Sequence, residues 1–204
     1  MPNRDVISWT AMVVGLSKNG RIDEARALFD NMPVRNVVSW NAMVAGYAQN
    51  SRFDEAIELF EKMPERDTPS WNTMITGFIQ IGNLDRAEKL FNEMPQKNVI
   101  TWTAMMTGYV QHGQSEEALK MFIKMLAIDG LKPNTGTFVT VLGACSDLAG
   151  FSEGQQIHQR INKTIYQDNT YLVSALINMY SKCGELHIAR KLFEVFNQMI
   201  KSGP

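Results

Sequence analysis

Apolar residues near the start of the chain fall at helical spacing: Trp9, Met12, Val13 and Leu16 stand at i, i+3, i+4 and i+7, which gathers them on one face of an α-helix. After Asn19 and Gly20 a second stripe runs through Ile22, Ala25, Leu28, Phe29 and Met32. The pattern predicts two helices joined by a tight turn. Asn and Gly tolerate the left-handed backbone that ends a helix, Asp23 and Glu24 put negative charge in the first turn of the next one, and Pro33 closes it. The small residues Gly15 and Ala25 are expected where the two helices approach most closely, since a larger side chain would hold the backbones apart.

The pattern then repeats in phase. Trp9, Trp40, Trp71 and Trp102 are 31 residues apart, and the same spacing links Gly15, Gly46, Gly77 and Gly108, then Ala25, Ala56, Ala87 and Ala118, then Phe29, Phe60, Phe91 and Phe122. A period of this size carrying two helical stripes predicts an all-α solenoid of helix-turn-helix repeats, right-handed, in which no repeat buries its apolar faces alone. The repeats run 6–36, 37–67, 68–98, 99–134, 135–169 and 170–204, the last one incomplete, and residues 1–5 (MPNRD) align with MPERD at 63–67 as the tail of a preceding repeat. The chain thus reads as beginning inside an array, with any targeting segment upstream. The fourth repeat is five residues longer around Ala127 to Lys132, which should lengthen its second helix by about a turn. The last helix is expected to expose an apolar face. Trp and Met at helical spacing read as core.

Composition narrows the chemistry. With 20 basic and 21 acidic residues, the chain lacks the basic footprint of a protein that holds duplex DNA by its phosphates, so nucleic-acid binding would have to lean on bases. Asn, Glu, Lys or Gly interrupt every apolar run well before the roughly 18 residues of a membrane span. Cys145 and Cys183 lack the spacing of a zinc site or disulfide framework and read as small core residues. His112, His158 and His187 are scattered and read as loop or surface residues.

Repeats of 31, 36 and 35 residues, reading SWNAMVAGYAQN with DEAIELFEKMP, TFVTVLGACSDLAG with EGQQIH, and SALINMYSKCGEL with IARKLF, resemble the pentatricopeptide repeat family. The resemblance covers essentially the whole chain and is similar, more narrowly, to the plant subclass with alternating short, standard and long repeats. It implies a sequence-specific binder of single-stranded RNA working in mitochondria or chloroplasts, where many members direct cytidine-to-uridine editing and others act in splicing or stabilisation. The tetratricopeptide repeat, a protein-binding solenoid, fits less well: its period is uniform and its order is W-x2-L-G-x2-Y, whereas Trp40 is followed by Met43 and the adjacent Gly46 and Tyr47 come later.

In that family the fifth and last residues of each repeat choose a base. Carried over, the pairs are Thr10 with Asn36, Asn41 with Asp67, Asn72 with Asn98, Thr103 with Asn134, and Val139 with Asn169, while Ser174 lacks a readable partner. Chemistry supports the choice. A carboxylate at Asp67 can accept from uracil N3-H but meets cytosine N3 lone pair to lone pair; the NH2 of Asn98 can donate to cytosine, and a flipped amide would tolerate uracil. Thr10 and Thr103 with their asparagines imply adenine, and Val139 is nearly silent, giving 5′-A-U-(C or U)-A-N. The same Asn and Asp residues are also the commonest helix N-caps. The second residue of each repeat is implied to pack on base faces: Ile7, Val38, Pro69, Ile100 and Tyr171, with Gly136 departing from the pattern. Lys18 and Lys182 occupy the column implied to meet phosphates, the rest of which is Gln49, Gln80, Gln111 and Asp147. No catalytic set, metal site or cofactor is expected. The H-x-E and C-x-x-C elements of the zinc deaminases do not occur, so a deaminase would come from the longer parent chain or in trans, with editing cofactor proteins as further partners and no membrane.

Overall fold

The computed structural model describes residues 5–201, the last three by backbone alone. Of the segment 1–5 read as a preceding tail, residues 1–4 lie outside the described residues, as do 202–204 of the last repeat. Twelve α-helices and no strand occur among the described residues, giving an all-α solenoid of helical hairpins. None of the helices is long and apolar enough to cross a membrane.

The chain divides into two compact halves, 1–97 and 98–204. In the first, α1 (Val6–Lys18), α3 (Val37–Gln49) and α5 (Thr68–Gln80) pack in a row, each folded onto its own partner, α2 (Ile22–Asp30), α4 (Phe53–Glu61) and α6 (Leu84–Glu93). In the second, α7 (Val99–Gln111), α9 (Thr135–Asp147) and α11 (Thr170–Lys182) form the row, with α8 (Ser115–Leu126), α10 (Phe151–Ile161) and α12 (Leu186–Lys201) as partners. Within each half, a second helix also touches the first helix of the next hairpin. First helices are therefore apolar on several sides, and second helices carry one apolar stripe with charges opposite it.

The periodic columns are the core. Ala25, Ala56, Ala87 and Ala118 are fully buried and the four Phe of the next column nearly so. Phe29 meets Trp40 edge-on with ring centroids 5.1 Å apart, Phe60 meets Trp71 at the same distance, and in the second half Phe122 meets Phe138 at 6.2 Å. Each aromatic pair joins one hairpin to the next, an arrangement that contributes beyond area burial.

The glycine column corrects the sequence expectation. A methyl group on Gly46 would stand 2.5 Å from Ser17 Oγ, and on Gly77 3.1 Å from Phe53 Cε1, both on the preceding hairpin; on Gly15 it meets nothing within 4 Å. The close approach is between successive hairpins, so Gly15, in the first of them, faces no neighbour. In the second half the sizes are exchanged. Met179 occupies the glycine column in α11, and Gly154 replaces the alanine of α10, where a Cβ would lie 2.4 Å from Met179 Sδ.

Every first helix ends the same way. Gly20, Ser51, Gly82, Gly113, Ala149 and Gly184 all have positive φ, and the next amide N-H bonds five residues back, as in Arg21 to Leu16 O and Gly150 to Cys145 O at 2.9 Å, which is the Schellman closure. Helix α8 has 12 residues against nine in α2 and α4, nearly a turn longer as expected, while residues 127–132 themselves lie outside the helix. On α12, Leu186, Phe193 and Val195 are exposed.

Candidate nucleic-acid interface

The amides at the start of a helix lack intrahelical acceptors, so an oxygen must be supplied from just outside it. Asn36, Asp67, Asn98, Asn134 and Asn169, the last-position column, are the N-caps of α3, α5, α7, α9 and α11. Oδ1 accepts from Ser39 N at 2.9 Å in the first case, from Ser70 N at 3.0 Å, from Thr101 N at 3.0 Å and from Thr137 N at 2.9 Å in the next three. Asn169 Oδ1 accepts from Tyr171 N and Leu172 N. A backbone N-H can only donate, so each Asn turns its oxygen to the helix and leaves its NH2 outside the cap.

Asp67 is the acidic member of the column. Its Oδ1 also accepts from Ser70 Oγ and from Asn41 Nδ2, each at 2.9 Å. Partial burial pushes its carboxyl up, but hydrogen bonds from Asn41 and Ser70 outweigh this and hold it below the usual carboxylate range. It is ionised at neutral pH, and Oδ2 is the oxygen outside the cap.

The structure brings two of the expected base-selecting pairs together. Asn41 and Asp67 touch directly, and Asn41 Oδ1 is buried without a hydrogen-bond partner. Thr103 and Asn134 are linked through Thr137, whose Oγ1 lies 2.8 Å from Thr103 Oγ1 and 3.0 Å from Asn134 Oδ1. Thr10 is buried and donates to Val6 O in its own helix. Ser174 is exposed and donates to Thr170 O. Val139 is exposed, and Asn72 is half-buried on α5.

Beside the caps lies the second-residue column. Ile7, Val38, Ile100 and Tyr171 are 72%, 62%, 59% and 76% exposed. Pro69 and Gly136 are exposed too. In the column expected to meet phosphates, Lys182 Nζ stands 3.7 Å from Asp147 Oδ1 of the preceding repeat, so its charge is partly offset. Lys18 is exposed.

Sequence reasoning passed over the residue immediately before the cap. Arg35 and Arg66 lie over the Phe29 and Phe60 rings at 4.9 Å and donate through Nε to the Phe29 and Phe60 carbonyls at 2.9 Å. Lys97 lies 5.2 Å over Phe91 and donates to Met94 O. These cations satisfy carbonyls at the end of one hairpin and fix the approach to the next cap. The signal was a basic residue before Asn36, Asp67 and Asn98 alike.

His112 and His187 are exposed as expected, but His158 is half-buried, with Nδ1 2.8 Å from Tyr180 OH, and burial lowers its pKa. It belongs to the packing of α10 on α11. Burial pushes the Cys145 thiol up to about 12, a residue of the core; Cys183 is half-buried and also raised by burial. Among the described residues no three His, Cys, Asp or Glu side chains converge on a possible metal position.

Family models match most of the chain: the PPR repeat family over residues 66–100 and 97–147, and the PPR repeat over 7–37, 38–68 and 171–204. The chain is 63% identical over 70 residues to the Arabidopsis thaliana protein "Pentatricopeptide repeat-containing protein At2g35030, mitochondrial", an alignment covering 34% of this chain and 11% of that protein. It is 42% identical over 71 residues to "Pentatricopeptide repeat-containing protein At1g59720, chloroplastic/mitochondrial" of the same plant, covering 35% and 11%. The matched stretch thus spans about a tenth of the relatives' length. Among solved structures, the pentatricopeptide repeat protein PPR10 from maize superposes with TM-score 0.69 at 24% identity, covering 96% of this chain and 29% of that one. The PPR domain of Arabidopsis thaliana protein-only RNase P 1 in complex with tRNA gives 0.64 at 14%, covering 89% and 96%.

Proposed function

The chain belongs to the pentatricopeptide repeat family, and from that premise we propose that it is a single-stranded RNA-binding module reading one base per repeat, with repeats at 6–36, 37–67, 68–98, 99–134, 135–169 and 170–204. The observation that carries the reading is the register of two columns. Exposed apolar side chains at Ile7, Val38, Ile100 and Tyr171 stand two residues beyond the caps Asp5, Asn36, Asn98 and Asn169, whose polar atoms are half committed. A base stacked on the first column meets the second at its edge, and stacking is worth about 1 to 3 kcal/mol per base.

The caps decide which atom the base meets. Asn98 keeps Oδ1 on the Thr101 amide, so it offers NH2 and favours cytosine; turning the amide over for uracil would set N-H against N-H, which narrows the tolerance expected from composition alone. Asp67 offers only an acceptor and favours uracil. Asn36 and Asn134, with Thr10 and Thr103, favour adenine. The site is 5′-A-U-(C or U)-A-N, successive repeats from the N-terminus being set along the RNA from 5′ to 3′. Four informative bases set against several kcal/mol of association and ordering cost give roughly micromolar affinity.

The parent protein, of which this chain is a part, acts in mitochondria or chloroplasts as a specificity factor for cytidine-to-uridine editing, within the subclass of alternating short, standard and long repeats. Its catalytic partner is a deaminase in the parent chain or in trans, and this module is not itself an enzyme. Relatives named for those organelles support the location. The test is Asp67→Asn. Preference at the second base should move from uracil toward cytosine by about 1 to 3 kcal/mol with the other positions unchanged; identical ranking by both proteins would reduce Asp67 to a cap.

A further inference from the structure

The fifth repeat is the poorest base reader, and three cations are gathered beside it. Gly136 has no side chain to set against a base and Val139 no hydrogen bond to give. Beside them, the loop that closes the fourth hairpin and the loop that closes the fifth enclose a cavity of about 530 Å³, lined among others by Lys132, Phe138, Arg160, Lys163 and Tyr166. No acidic residue lines it. All three cations are exposed, and none has an ionic partner among the described residues. Several cations elsewhere are committed: Arg52 to Asp23 and Glu55, Arg26 to Asp30, Lys182 to Asp147. Lys132 is two residues before the cap Asn134, and Lys163 and Tyr166 precede the cap Asn169, so the cavity opens beside the ends of the helices that carry the base-selecting column. Both loops exist because these two repeats exceed 31 residues.

We propose that this cavity is a base-independent anchor for the sugar-phosphate backbone of the RNA just 3′ of the bases read by the first four repeats. The inference rests on the RNA-binding reading above. Three cations with no carboxylate among them attract phosphodiesters, the Tyr166 ring gives a ribose or base a face to lie on, and contacts to phosphate carry no base identity. The fifth repeat thus exchanges reading for holding.

The experiment compares the wild-type chain with the triple variant Lys132→Gln, Arg160→Gln and Lys163→Gln, helicity being checked by circular dichroism. Each is titrated with the four-base RNA 5′-AUCA and with the same RNA extended by three 3′ nucleotides, A- or U-only. In the wild type, extension should tighten binding on the order of tenfold whichever nucleotide is added, and steepen the dependence of log K on log salt by up to about 2, since each single-strand phosphate contact contributes about 0.7. In the variant, extension should do neither, and the preference for uracil at the second base should persist. If extension helps both proteins equally, the anchor is elsewhere and the inference fails while the base-reading proposal stands. Extension that helps only the wild type, with no base preference in either protein, leaves the anchor in place and overturns base reading. If inorganic pyrophosphate binds the wild type tightly and extension adds nothing, the cavity serves a free anion and the proposal is wrong.

Discussion

One oxygen of the Asp67 carboxylate collects three hydrogen bonds while the other stays outside the cap, and this division of labour has a consequence for pH. The carboxyl is held below its usual range, so the unfolded chain binds the proton more readily. The stability it contributes is present above the unfolded pKa and is lost as pH falls through the lower folded one. Asp67→Asn keeps an equally good cap; melting temperatures at neutral pH should therefore match, while the wild type should lose more than the variant on acidification through the carboxylate range. A second residue tests backbone strain. Ala149 sits at φ 49 in the column that elsewhere holds mostly glycine, and Ala149→Gly should stabilise the second half by roughly 0.5 to 1 kcal/mol in chemical denaturation. The capping column was legible as chemistry from the types Asn and Asp alone. Which atom each offered was not, because that depends on the amide donor three residues on and on the extended backbone of the cap. Nor was His158 legible: its burial follows from Tyr180, 22 residues away.

At the level of helices, spacing predicted every hairpin, since stripes at helical period and a left-handed turn residue are local signals. What each small residue faced was not local. Gly15 and Gly46 occupy the same column and share a helix position, yet only the second has a neighbour across it. Gly15→Ala should therefore raise stability by up to about 1 kcal/mol through helix propensity, whereas Gly46→Ala, pressed against Ser17, should lower it by about 1 to 3 kcal/mol. Thermal melts of the pair distinguish a column defined by propensity from one defined by stacking. The exchange of sizes at Gly154 and Met179 carries the same lesson: the deviation from the column is intelligible only when both partners are seen at once.

At the scale of the chain, each half is a stack in which a hairpin finishes its core on the next, and among the described residues contacts within a half reach only neighbouring hairpins. Each half contains three hairpins, about the smallest number at which a repeat stack becomes stable. The fragment 1–97 should accordingly be helical by circular dichroism and unfold cooperatively, while the fragment 37–67, a single hairpin with the Phe60 ring and the Gly46 face unpartnered, should not. A monomeric single hairpin with a sharp melt would contradict the dependence of each core on the next.

The capping column also bears on how such a chain can change over generations. Asn and Asp satisfy the helix amides equally, and their codons are separated by a single nucleotide. Exchange between them alters the group outside the helix and leaves the aromatic stack, the glycine contacts and the turn closures as they were. On the base-reading proposal, the atom that folds the protein and the atom offered to RNA are different atoms of one side chain, so a lineage would acquire a new target by one point mutation without crossing an unstable intermediate.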